Sequence, residues 1–93
     1  MVQVKEIVRC EANDNFTDFH LLDGTRRMIC RNLKFYESIL ESLGFERVHK
    51  SHLINISHVK RYKKGKSGTL IMSDTSEVPV AANRKAGFLK NFS

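Results

Sequence analysis

Cysteine and proline are scarce in this sequence, and no apolar run approaches the ~18 residues that mark a membrane-spanning helix. Cys10 and Cys30 are too few for a disulfide scaffold and lack the Cys-x-x-Cys spacing of zinc or redox sites, so both are expected to be reduced and mostly buried. With one proline, Pro79, and no Pro/Ser-rich stretch there is no linker, and no internal repeat occurs. The 93 residues are therefore expected to form one domain, 1–93. The opening Met1-Val2-Gln3-Val4-Lys5-Glu6 lacks the basic-then-apolar order of a signal peptide, which predicts a soluble, cytoplasmic chain with no membrane partner.

The equipment of catalysis is missing too. There is no nucleophile elbow, no phosphate-cradling glycine loop and no carboxylate pair, and Ser51 between His49 and His52 is not a triad. His49, His52 and His58 match no usual zinc spacing. Neither an enzyme nor a metal or cofactor site is expected.

Acids are absent between Arg47 and Ser73, an interval holding Arg47, Lys50, Lys60, Arg61, Lys63, Lys64 and Lys66. The formal charge of +6 is placed unevenly: residues 1–46 have six Lys/Arg against eight Asp/Glu, net −2, and residues 47–93 have ten against two, net +8. Such a field attracts polyanions over about a Debye length, and neutralising phosphates releases their counterions. Nucleic acid is the partner class this implies. Taken alone, Lys60 to Lys66 is equally a solvated loop. The alternative in another class is a protein-interaction module whose basic face meets an acidic partner.

Short apolar runs between turn residues predict a mainly antiparallel β fold with one or two short helices. Val2 to Val8 suits an extended segment, Asn13-Asp14-Asn15 a turn and Phe16 to Leu22 a strand. Asp23-Gly24 turns into a return strand, Arg26 to Arg31, with Met28, Ile29 and Cys30 inside. Asn32 caps a helix over 33–43, with Leu33, Phe35, Tyr36, Ile39, Leu40 and Leu43 at helical spacing and Gly44 ending it. Phe45 to Val48, Ser51 to Ile56, Val59 to Tyr62, Thr69 to Met72 and Glu77 to Val80 read as extended, with a hairpin tip at Lys63 to Gly68. Ala82 to Phe92 suits a terminal helix with Phe88, Leu89 and Phe92 on one side.

A familiar DNA-reading helix is missing: the terminal helix is more basic, but with Gly87 in its middle it is short and weak. The one over 33–43 presents Lys34, Glu37 and Glu41, and its acids would face phosphates in a major groove. Paired aromatics of the kind RNA-binding sheets use are absent, which favours DNA. Loops and strand ends must then do the reading.

Phe45-Glu46-Arg47-Val48-His49-Lys50-Ser51-His52-Leu53-Ile54-Asn55 resembles the signature of the LytTR family of DNA-binding domains, Phe-x-Arg-x-His-[basic or Asn]-Ser-x-x-[apolar]-Asn. Ile7 through Phe16-Thr17, Leu21 to Gly24, Leu33 to Leu40 and Val78-Pro79-Val80 resemble its opening strand and turn, hairpin, helix and last strand. The resemblance implies about ten short antiparallel strands in three small sheets. It also implies a bacterial transcription-regulator output domain, with a receiver domain or sensor partner outside this chain. Such domains bind double-stranded DNA as pairs on tandem sites, hence as a homodimer on DNA, with loops in successive major grooves.

Carried onto this sequence, the reading loops fall on Asn15 and Phe16, on His49-Lys50-Ser51 with Arg47 before them, and on the segment after Val80. There the family's Ser-Arg is replaced by Ala81-Ala82-Asn83-Arg84-Lys85, so Asn83 and Arg84 are both candidate readers, for adenine and guanine respectively. Lys63 and Lys64 are expected to touch phosphates. Plainer roles stand beside these: His49 as a turn organiser, Ser51 and Asn55 as pins of the turn, and Arg47 as partner of an acid across the sheet near Glu46. Lys50 has the fewest structural reasons for its place and is the strongest single contact.

Overall fold

Ile7-Val8 and Leu53-Ile54 are neighbouring apolar pairs on single strands, the pattern of a sheet covered on both faces. The computed structural model describes residues 2–65 and 68–92, the side chains of Asn91 and Phe92 excepted. Lys66 and Ser67 of the expected hairpin tip, and the side chain of Phe92, lie outside the described part. The strands are β1 (Ile7–Asn13), β2 (Phe16–Leu21), β3 (Arg26–Ile29), β4 (Phe45–His49), β5 (His52–Asn55), β6 (Val59–Lys63), β7 (Thr69–Met72) and β8 (Glu77–Pro79). The helices are α1 (Leu33–Leu40), extended by a 3-10 turn over Glu41–Leu43, and α2 (Ala82–Phe92). The fold is mainly β, as expected. Among the described residues the strands form two antiparallel sheets, β3-β2-β1-β5-β4 and β6-β7-β8.

The five-stranded sheet serves two cores. On one face Ile7, Cys10, Leu21, Phe45 and Leu53 pack with Leu33 and Leu40 of α1. On the other, Val8, Val48 and Ile54 pack with Leu70, Met72, Val78 and Val80 of the second sheet and with Phe88 of α2. Ile7 and Val8, like Leu53 and Ile54, thus point into opposite cores, as the period of two along a strand requires.

Turn chemistry behaves as read. Asp14 takes φ 55 between β1 and β2, and Gly44, with φ 92, ends the 3-10 turn after α1. Asn32 caps α1 by accepting the Phe35 N–H at 2.9 Å. Asn55 pins the turn after β5, its side chain donating to the Ile7 carbonyl at 3.0 Å and accepting from the Ser57 N–H at 3.1 Å.

Several expectations need correction. Val2 to Val8 is not continuous strand: Val4–Glu6 makes a 3-10 turn, because the Glu6 N–H bonds back to the Gln3 carbonyl. Met28, Ile29 and Cys30 are exposed, since β3 pairs only with β2 at an edge of the sheet that neither core reaches. Of the two thiols, Cys10 alone is buried. On the helix, Leu33 and Leu40 are buried while Phe35, Ile39 and Leu43 are exposed. Positions 35 and 39 lie across a 3.6-residue helix from 33 and 40, so the apolar stripe is wider than the face that docks.

Leu40 is 6% exposed in the core beneath α1. Leu40→Ala is expected to lower the unfolding free energy by about 2 to 5 kcal/mol, measured by urea denaturation. A change near zero would show that α1 does not rely on this contact.

Candidate nucleic-acid interface

Antiparallel pairing brings the segments singled out by sequence to one end of the molecule. Glu11 of β1 pairs with His52 of β5, so the β1–β2 turn and the β4–β5 turn are neighbours. The Ala12 N–H bonds to the Ser51 carbonyl at 2.9 Å and joins them directly. The Ala81 N–H bonds to the Val48 carbonyl at 2.8 Å, which sets the start of α2 against the end of β4. The Val80 N–H bonds to the Gly68 carbonyl at 3.1 Å, next to the Lys63–Thr69 pair that closes the β6–β7 hairpin. Four stretches far apart in sequence are therefore held side by side by main-chain bonds that do not depend on side-chain identity.

Within this end the side chains divide by exposure. Asn15, Phe16, Lys50, Lys63, Lys64 and Asn83 are exposed; Arg47, His49, Ser51, Arg84 and Lys85 are half-buried. Of the half-buried groups, Arg47, His49 and Arg84 turn to the protein's own main chain. Arg47 donates from Nε to the His49 carbonyl at 2.9 Å, from Nη2 to the Lys50 carbonyl, and from Nη1 to Glu37 Oε1 at 2.7 Å. Its acidic partner is thus on α1, not across the sheet near Glu46, because position 47 falls on the α1 face. His49 Nδ1 accepts the Ser51 N–H at 3.1 Å, which makes His49 an organiser of the turn that presents Lys50. Arg84 Nη1 reaches the Arg47 carbonyl at 3.4 Å.

The sequence reading overlooked a second cationic stretch. From Gly24 to Tyr36 there are four cations, Arg26, Arg27, Arg31 and Lys34, and no acid. Averaging charge over residues 1–46 hid it. The fold carries the end of this stretch to the same edge: Ile29 pairs with Thr17, and Thr17 Oγ1 donates to the Arg31 carbonyl at 2.8 Å. The Arg31 guanidinium lies 4.8 Å from the centre of the Phe35 ring, where a cation is favoured without an acid beside it. Exposed Arg31 and Lys34 line one shallow groove with Asn32 and Phe35.

Beside the turns, on the same sheet, sits a small polar network. Glu11 Oε1 receives Arg9 Nη1 at 3.3 Å and faces His20 Nε2 at 3.0 Å, and Arg9 Nε donates to Ser76 Oγ at 3.2 Å. Burial alone would raise the Glu11 carboxyl, but the bond from His20 and the charge of Arg9 pull it below its ordinary value. His52 packs 5.3 Å from His49, ring centre to ring centre, and its buried Nδ1 has no hydrogen-bond partner among the described residues. Burial pushes the His52 imidazole down to about 4; Glu11 opposes that shift, and Arg9, His49 and His20 add to it. Burial likewise pushes the Cys10 thiol up to about 12, which leaves no thiolate at neutral pH. Among the described residues no group of three or more His, Cys, Asp or Glu is placed to hold a metal ion, and no helix is long and apolar enough to cross a membrane.

Comparison with known proteins gives a family and a fold. The family model described as the LytTr DNA-binding domain matches residues 1–93. A solved structure from Bacillus cereus, described as a LytTr DNA-binding domain, superposes with a TM-score of 0.84 at 24% sequence identity, covering 96% of this chain and 83% of that one. No curated protein matches the sequence.

The depressed His52 imposes a pH dependence whose sign follows from linkage. Above about 6.5, the ordinary value, the ring is neutral folded and unfolded; between there and about 4 only the unfolded chain takes the proton. Stability is expected to fall as pH drops through this window, and His52→Asn to flatten the decline, measured as urea midpoints from pH 7 to 4. Glu11 adds its own loss from about 4.5, its ordinary value, downward through its lowered folded value, so it enters only at the acid end of this range. An unchanged slope in His52→Asn would place the proton uptake elsewhere.

Proposed function

Because the chain belongs to the LytTR family of DNA-binding domains, we propose that it binds double-stranded DNA sequence-specifically, by loops entering successive major grooves, in transcriptional regulation. The observation that carries this reading is the row of main-chain bonds, Ala12 to Ser51, Ala81 to Val48 and Val80 to Gly68, which sets the β1–β2 turn, the β4–β5 turn, the β6–β7 hairpin and the start of α2 along one end. That end is rich in cations; α2, which begins there, is basic but carries Gly87 at its middle, so the turns and the first residues of α2, rather than a whole recognition helix, supply the base contacts.

Lys50 is the first reader, because its side chain is exposed while its carbonyl is fixed by Arg47. In the third loop Asn83 is the better candidate. It is exposed in the first turn of α2, whereas Arg84 is half-buried, with Nη1 directed at the Arg47 carbonyl at 3.4 Å. An Asn at that place reads adenine by a bidentate bond. Asn15 and Phe16 supply the remaining turn; Lys63, Lys64, Lys85, Arg31 and Lys34 supply phosphate contacts that position without specifying. Arg47, His49 and Ser51 shape the turn. Two copies occupy tandem sites as a homodimer on DNA, in the cytoplasm, with a receiver or sensor partner supplying the signal. The chemistry described needs no cofactor and no catalytic step.

Selection of random duplexes against the protein, followed by sequencing, is expected to return one preferred duplex that survives competition with excess random DNA. Salt-sensitive retention without preference would favour the acidic-protein partner instead. On the selected duplex Lys50→Ala and Asn83→Ala are each expected to cost about 1 to 3 kcal/mol of discrimination at one base pair, with Arg84→Ala costing none there. Equal losses on selected and random duplexes would reduce Lys50 to a phosphate contact. Lys63→Ala with Lys64→Ala is expected to weaken both duplexes alike and to lower the salt slope by about 0.9 for each phosphate no longer neutralised. An unchanged slope would show that the hairpin points away from DNA.

A further inference from the structure

Glu37 is an acid beside a surface that must accept a polyanion, and by charge alone it opposes binding. We propose that it is the positioning residue of the β4–β5 reading turn: it anchors Arg47 to α1, and Arg47 in turn anchors the carbonyls of His49 and Lys50. The proposal rests on the reading role given above to Lys50 and adds the element that holds Lys50 in place.

The geometry is a relay from helix to turn. One edge of the Arg47 guanidinium meets Glu37 Oε1 at 2.7 Å, while its Nε meets the His49 carbonyl at 2.9 Å and its Nη2 the Lys50 carbonyl. A planar fork can make these bonds at once; a single ammonium cannot. The side chains are 14% and 30% exposed, so the pair is less screened than an ordinary surface ion pair. α1 is a firm anchor, docked through buried Leu33 and Leu40 on either side of Glu37 and capped by Asn32. The β4–β5 register shifts between Arg47 and His49, so the ladder by itself leaves the turn underdetermined where the guanidinium grips it. His49 secures the far side by accepting the Ser51 N–H. Without Glu37 the guanidinium loses its one tie to a rigid element, and Lys50 is free to sample geometries that do not match a base edge.

The sign of the charge makes the test decisive. Competition anisotropy with the selected duplex and with a shuffled duplex gives a discrimination ratio for wild type, Glu37→Ala, Glu37→Gln, Arg47→Lys, Lys50→Ala and the Glu37→Ala/Lys50→Ala double variant, each checked by its urea midpoint. Glu37→Ala is expected to lower the ratio about fivefold or more, the scale of one base contact, while affinity for shuffled DNA stays level or rises with the lost negative charge. Glu37→Gln, whose amide oxygen still accepts from Arg47, is expected to keep the ratio within about twofold. Arg47→Lys is expected to lose it although the charge is kept, and this variant decides the matter should Glu37→Ala fail to fold. In the Lys50→Ala background, Glu37→Ala is expected to have no further effect on the ratio. Equal tightening on both duplexes in Glu37→Ala, a retained ratio in Arg47→Lys, or additive losses in the double variant would each overturn the positioning role. A ratio unmoved by Lys50→Ala alone would instead remove the reading role of Lys50, and the proposal with it.

Discussion

The structure depends on one constraint above the others, that the central strands of the larger sheet must fill two different cores. Ile7 and Val8 on β1, and Leu53 and Ile54 on β5, send neighbouring side chains to opposite faces. A slip of one residue would exchange the faces and put Arg9 or His52 where an apolar residue belongs, so the register is fixed by burial on both sides. Once it is fixed, so are the strand ends and the places where the turns begin, while the path of the β4–β5 turn is set in addition by the Arg47 guanidinium. The irregularities fall between Ile7 and Arg9 and between Arg47 and His49, where the pairing shifts without disturbing either core.

The polar residues at this end fall into two groups by where their hydrogen bonds go. Arg47, His49, Arg84 and Asn55 spend their hydrogen bonds on the protein's own main chain. Lys50, Asn83 and Lys63 stay exposed beside them. The division has a physical cause: a base edge is recognised by a donor or acceptor held at a defined point, and a flexible lysine is held only as well as the backbone that carries it.

Much of the architecture was legible because it rests on local rules. The Asp14 turn, the Asn32 cap, the Gly44 stop and the alternation of short strands follow from backbone preferences that a sequence displays openly. The departures arise where tertiary context decides. Met28 and Ile29 look like core residues by type, but nothing in the sequence says that β3 is the outer strand. Phe35 and Ile39 have helical spacing, yet whether the apolar stripe exceeds the docked face depends on how much of α1 the sheet can cover. In the site, the cations were visible, but not which of them face inward. The partner of Arg47 was sought near Glu46 and found ten residues earlier on a helix, since a strand and a helix that flank a turn can meet only once the fold is made. Arg31 and Lys34 lie in a half of the chain whose net charge is −2, and only the fold sets them on the same edge as the turns.

The end proposed to read DNA is a composite of residues near positions 15, 50, 64 and 83, joined across the fold by three main-chain bonds. No fragment of the chain contains it, and it exists only after α2 and the second sheet have docked on the first. Whatever occupies it therefore binds the finished fold and not the unfolded chain, and by mass action it stabilises the protein by an amount that grows with the logarithm of ligand concentration over Kd. In a domain this small, with a thin margin of stability, a duplex bound there as proposed would add its binding free energy to that of the fold.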